Sequence, residues 1–270
     1  MTNFRGMFLA SLAAIGISLP GMTALAAESA GAAGSHVQTV LITGSDKGMG
    51  LEMARQFAAR GDRVIATTRN PVKATDLNAL AAANPRVSVD KLDVTSQQDI
   101  DALVARYKDT PIDILINNAG VNGGMQNQML GKFNYAAFED VLRVNTIAPL
   151  HIAEAFLPNV LASRDKRIVA ISSSEGSIGK VTSPRLYFMR ASKAALNMEM
   201  KNLAIQLKPK GVSVGIINPG MVDTEFMKGA PKNMLRPVDE AVRGIIRNID
   251  SLTIANTGTF MNYDGTTLPW

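Results

Sequence analysis

The 270-residue chain contains no cysteine. That absence excludes disulfides, thiolate zinc centres, iron–sulfur clusters, a cysteine nucleophile and a cysteine-linked lipoprotein anchor. Histidine is almost as scarce, with only His36 and His151. Neither a histidine-built metal site nor a Ser-His-Asp triad is supported, and no metal is expected. His151 stands between Leu150 and Ile152 in a helical pattern and reads as a packed helix residue. Aromatic residues make up 5% of the chain, and no basic run is interleaved with them, so nucleic-acid binding is not expected. The 28 Lys and Arg against 23 Asp and Glu leave a net charge of +5. That balance tolerates an anionic ligand such as a phosphate without requiring one. What is present, 46% hydrophobic residues at a mean hydropathy of +0.08, suffices for one sizeable core and excludes a disordered or collagenous chain.

The N-terminus has a separate pattern. Arg5 supplies a positive start, residues 7–19 are uncharged and mostly apolar, and Pro20 and Gly21 interrupt them. Ala24, Leu25 and Ala26 then form a small-x-small cleavage site. Residues 1–26 therefore read as a secretory signal peptide, residues 27–36 as a flexible leader, and the mature chain as starting at Ala27, exported or periplasmic. The apolar stretch is short for a membrane span, and no membrane partner is expected beyond this signal. An uncleaved anchor or a misplaced start codon would instead leave the protein cytoplasmic.

From residue 37 to residue 270, short β-rich runs alternate with amphipathic runs. Strands are expected at 37–43, 63–68, 87–92, 112–117, 167–172, 212–217 and 259–262. Helices are expected at 48–60, 71–83, 96–107, 135–162, 187–208 and 237–249. Strands alternating with helices of this length form βαβ units, and their nearly continuous apolar character belongs to a sheet covered on both faces. The expected fold is a single α/β domain, a doubly wound parallel sheet of Rossmann type.

The first strand runs into Thr43-Gly44-Ser45-Asp46-Lys47-Gly48-Met49-Gly50, which opens the first helix. Glycines permit the tight turn and let backbone N–H groups approach a pyrophosphate at the helix N-terminus. The spacing is G-x-x-x-G-x-G, which differs from the common dinucleotide fingerprint. The second strand ends Ala66-Thr67-Thr68-Arg69, without the acidic residue that binds an NAD ribose. Arg69 suits a 2′-phosphate, with Lys47 as a second positive charge, and NADP is favoured over NAD.

With these residues the chain resembles the short-chain dehydrogenase/reductase family, nearest to its C-factor and sniffer-type carbonyl reductases. Residues 43–50 are similar to the family's TGxxxGxG turn, and Asp93-Val94 to its adenine-contacting pair. Asn117-Asn118-Ala119-Gly120 matches its NNAG segment, Asn145 its helix asparagine and Ser173 its active-site serine. Lys193 lies in an ASKAAL segment, and Pro219, Gly220 and Thr224 match the PGxVxT segment that clamps the nicotinamide. The resemblance implies hydride transfer between a nicotinamide and a small carbonyl or alcohol substrate. It implies that Ser173 orients the substrate oxygen, Lys193 holds the nicotinamide ribose, and Asn145 anchors a water chain. It also implies a homo-oligomer through the helices at 135–162 and 187–208.

One position departs from the pattern. The resemblance implies a tyrosine as proton donor four residues before the lysine, on the same helix face, and four residues before Lys193 stands Met189. Tyr187 is six residues before Lys193, about 240° around an ideal helix, and is an unsuitable substitute. A thioether donates no proton. Three readings stay open: a reductase with another proton source, an NADP-binding pseudoenzyme with a regulatory or interaction role, or chemistry in which Met189 walls an apolar substrate beside Met221 and Met227.

Overall fold

Residues 36–270 are described in the computed structural model, and Val37–Trp270 form one compact unit. The signal-peptide expectation for residues 1–26 lies outside the described residues, as does all of the 27–36 leader except His36. Among the described residues no helix is long and apolar enough to cross a membrane.

Short β-branched stretches build the centre: β1 (Thr39–Ile42), β2 (Arg63–Thr68), β3 (Val87–Lys91), β4 (Ile114–Asn117), β5 (Arg167–Ile171), β6 (Ser213–Asn218) and β7 (Phe260–Asn262). They pair in parallel throughout, in the order β3-β2-β1-β4-β5-β6-β7. Alternation along each strand sends successive side chains to opposite faces. Val40 and Ile42 join Met53, Phe57, Val242 and Ile245 on one side of the sheet. Leu41 between them joins Ile152, Phe156 and Met200 on the other. The first layer is α1 (Gly48–Arg60), α2 (Thr75–Ala83) and α8 (Val238–Asp250). The second is α3 (Gln97–Arg106), α4 (Tyr135–Leu142), α5 (Ala148–Ala155), α6 (Leu157–Leu161) and α7 (Tyr187–Leu207).

Two expected helices are broken, each for a local reason. The 71–83 run splits because Asn70 Oδ1 accepts from Lys73 N, closing a single tight turn over Pro71–Lys73, and Ala74 then leaves helical geometry. The 135–162 run carries a π-helical bulge at Arg143–Ile147, where Asn145 turns inward to bond Val121, and it breaks again at Phe156. Pro158 lacks the amide that would reach Glu154 and crowds its carbonyl.

The strand order reverses between β1 and β4. Chains leaving the carboxyl ends of these two strands diverge to opposite layers and open a crevice between them. Every candidate site segment except the Asn145 helix and the N-terminal part of α7 begins at such a strand end.

Candidate active site

The turn from β1 into α1 uses its glycines differently. Gly44 and Gly48 sit at φ +68° and +56°, where other residues are strained. Gly50 is in the helix, but a Cβ there would lie 2.1 Å from the Gly44 carbonyl oxygen, so only glycine lets the helix cross the turn this closely. No side chain caps the N-terminus of α1, and its first turn holds no acidic residue. That end therefore presents uncapped N–H groups and a positive dipole to the crevice, the arrangement an anion needs.

Beneath the turn a polar network fixes its shape. Thr43 Oγ1 accepts from Asn118 N at 3.0 Å and Ala119 N at 3.1 Å. Asn118 Nδ2 donates to the carbonyls of Thr43 and Gly44, each at 2.9 Å. Ser45 Oγ donates to Ile42 O at 3.0 Å. Thr43 and Ser45 are buried behind the wall of the crevice and hold the turn from below, whereas Asn118 also reaches the wall.

The crevice has a volume of about 1760 Å³, ample for a dinucleotide together with a small substrate. Gly44, Lys47, Gly48, Met49 and Gly50 line one part, with Arg69, Asp93, Val94, Ala119 and Gly120 beside them. Lys47 pairs with Glu225, and this bond and charge raise its pKa, while the nearby Arg69 charge opposes the rise. Both partners of that pair are largely exposed, so an incoming phosphate meets a weak competitor. The Arg69 guanidinium has no hydrogen-bond or ion-pair partner among the described residues. Asp93 spends Oδ1 on the backbone and hydroxyl of Thr95, at 2.9 and 2.7 Å, leaving Oδ2 uncommitted. Pro219, Gly220 and Thr224 follow β6 on the same wall, and the Thr224 methyl would be 3.4 Å from a Cβ at Gly48.

Ser173, Met189 and Lys193 meet on the remaining wall. Lys193 is buried in α7, where its Nζ donates to Ile171 O at 2.7 Å. Burial disfavours the ammonium and lowers its pKa to about 8. A Cβ at Gly176 would be 2.8 Å from the Lys193 carbonyl carbon, so the loop after β5 packs directly on the helix here. Ser173 Oγ accepts from Glu175 N at 3.1 Å and keeps its own proton for a ligand. Met189 is buried one helical turn before Lys193.

Asn145 does not reach the crevice, and Tyr187, rejected on helix geometry, faces away from it. Asn145 is fully buried behind the wall. Its amide exchanges bonds with Val121 N and O at 2.9 and 2.8 Å, donates to Ser192 Oγ at 3.0 Å, and approaches Met189 Sδ at 3.9 Å. Tyr187, the first residue of α7, packs edge-on against Phe133 with ring centroids 5.0 Å apart and lines a separate side pocket. Leu186 before it adopts φ +53°, which turns the chain sharply into the helix. Sequence reasoning missed Glu175, which bonds both Arg185 and Arg190, and Gln128, whose Oε1 accepts from Phe188 N at 2.8 Å. Nothing in local spacing marks these residues, because the chain turns between the partners.

A family model described as short chain dehydrogenase matches residues 38–235. A 1-hydroxy-2-glutathionyl-2-methyl-3-butene dehydrogenase of Rhodococcus is 37% identical over 238 residues, covering 87% of this chain and 100% of the relative. The structure of an NADPH-bound carbonyl reductase from chicken fatty liver is similar at a TM-score of 0.80 and 29% identity, covering 87% of this chain and 99% of the other. The carbonyl reductase Sniffer of Drosophila melanogaster matches at 0.78 and 29%, covering 87% of this chain and all of the other.

Proposed function

The chain belongs to the short-chain dehydrogenase family, and from that premise we propose that it is an NADP-dependent oxidoreductase acting on a small carbonyl or alcohol. The observation that carries this reading is the crevice itself. The uncapped α1 N-terminus and the partnerless Arg69 lie on one wall, and Ser173 and buried Lys193 lie on another. These residues fit the cofactor. Gly44–Gly50 backbone would hold the pyrophosphate, Arg69 the 2′-phosphate, Asp93 and Val94 the adenine, and Lys193 the nicotinamide ribose. Two solved relatives support the choice, a chicken carbonyl reductase with bound NADPH and a Burkholderia multivorans short-chain dehydrogenase/reductase with bound NADP. When bound, the cofactor supplies a hydride.

The protein's own work is positioning and proton supply. The Ser173 hydroxyl donates to the carbonyl oxygen and fixes its direction. Met189 contributes an apolar contact and no proton. The ionisable group buried at this wall is Lys193, and burial brings its ammonium close enough to neutral pH to act as an acid. Asn145 acts from behind: through Val121 and Ser192 it holds the bulge against α7, next to Met189.

The second reading, cofactor binding without turnover, is favoured by one observation, the thioether at position 189. A titration of protein fluorescence with NADPH and NADH, followed by NADPH oxidation over aldehydes, ketones and quinones, separates the two. Tighter NADPH binding with turnover supports the reductase. Binding without turnover supports the second reading, and no binding of either nucleotide refutes both. Export through residues 1–26 and self-association through α4–α6 and α7 remain parts of the same proposal. Exposed Ile147, Leu150, Met198 and Ile205 on those helices support the latter.

A further inference from the structure

The wall between Ser173 and α7 is charged in a way that a dinucleotide does not use. From Ser173 to Arg190 the chain carries one carboxylate, Glu175, against three cations, Lys180, Arg185 and Arg190, and all four line the crevice. Glu175 binds two of the cations at once. Its Oε2 accepts from Arg190 Nε at 2.6 Å, and its Oε1 from Arg185 Nη2 at 2.8 Å. The cluster therefore keeps a positive excess.

The two arginines are not equivalent. Arg190 is mostly buried, at 14% exposure, and also donates to the Ser183 carbonyl, so it ties the loop to α7. Arg185 is 57% exposed and commits only Nη2, leaving Nε and Nη1 of its fork free. The Lys180 ammonium has no partner among the described residues. Beside them opens a side pocket of about 460 Å³, lined by Val181 to Arg185, Tyr187 and Arg190. It shares Val181, Thr182, Arg185 and Arg190 with the main crevice, so Arg185 borders both spaces.

A guanidinium held from one side by a carboxylate is oriented before any ligand arrives, and its remaining N–H groups can donate charge-assisted hydrogen bonds to a second carboxylate. In a concave wall the unbalanced charge acts further than it would on a flat surface. We propose that Arg185, with Lys180 beside it, forms a carboxylate subsite. The preferred substrate is then a carbonyl compound bearing a carboxylate, with the carbonyl directed to Ser173 and the acid group to Arg185. The substrate role rests on the reductase reading, whereas the binding site does not.

The test is calorimetric titration of the full chain, with and without saturating NADP⁺, using benzoate and its neutral isostere benzamide. The expected result is benzoate binding at least tenfold tighter than benzamide, with the preference shrinking as salt screens it. Arg185→Gln should abolish the preference, Arg185→Lys should keep part of it, and Lys180→Gln should weaken it severalfold. Lys210→Gln, in a distant turn, should change nothing. Arg185 is exposed, so its variants should retain the wild-type melting temperature. Equal binding of the two ligands, no benzoate binding, or a preference that survives both Arg185→Gln and Lys180→Gln would overturn the proposal. NADPH fluorescence on the same samples judges the cofactor reading separately. Benzoate preference without NADPH binding would sink the reductase and leave the subsite, and NADPH binding without the preference would do the reverse.

Discussion

Replacing Lys193 by methionine removes a buried amine whose folded-state pKa lies near 8, against 10.5 when exposed. Between those values the unfolded chain binds more protons than the native one, so wild-type stability gains from this group as pH rises. Below pH 8 both states hold the proton, and the group carries its full burial penalty. Integrating between the two values gives a wild-type gain on the order of 2–3 kcal/mol between pH 7 and pH 10. The variant lacks this contribution. It also leaves the Ile171 carbonyl without its lysine partner, a cost of about 1–3 kcal/mol that does not vary with pH. The absolute difference at pH 7 is therefore small, and its change with pH is the diagnostic. Urea unfolding of both proteins from pH 7 to pH 10, read as midpoint and slope, should show wild type gaining on Lys193→Met by about that amount. A constant difference, or one that moves the other way, would refute a desolvated lysine. NADPH binding should fall in the variant at every pH.

Met189→Tyr should restore an acid one helical turn before Lys193 and raise kcat by about 10²–10⁴-fold in NADPH oxidation assays. Arg69→Asp should weaken NADPH about 10–100-fold in fluorescence titrations and leave NADH binding much less affected. Gly50→Ala forces a methyl group against the Gly44 carbonyl. It should lower stability by about 1–3 kcal/mol in thermal melts and abolish nucleotide binding. Glu199 is half-buried with one carboxylate oxygen unpartnered, and burial raises its pKa from 4.5 to about 7. The native state disfavours its charge, so wild-type stability falls as pH climbs from the lower value to the higher. Glu199→Gln should melt close to wild type at pH 4.5. At pH 8 it should be more stable by on the order of 1 kcal/mol, once solvent screening is allowed for.

The sheet was legible in the sequence because parallel strands buried on both faces are written as short, continuous apolar runs, and each expected strand is found. The glycine turn was legible for the same kind of reason, since backbone geometry there demands a residue without a Cβ. The expected helix at 135–162 hid its breaks. The bulge at Asn145 depends on a bond to Val121, 24 residues away, and no local pattern records it. Thr43, Ser45 and Asn145 were singled out by their motifs. Their positions behind the wall were not, because spacing fixes neighbours along the chain and not depth. The rotation of Tyr187 away from Lys193 followed from helix geometry alone. The Glu175–Arg185–Arg190 cluster did not, since it joins a turn after β5 to the start of α7 across an irregular loop.

The most direct measurement is NADPH oxidation by the unaltered protein across carbonyl substrates, each with a protein-free control. Activity above the control that declines above pH 8, as the Lys193 ammonium is lost, is the predicted result. Consumption indistinguishable from the control with every substrate, at any pH from 6 to 9, would contradict an oxidoreductase working without a tyrosine.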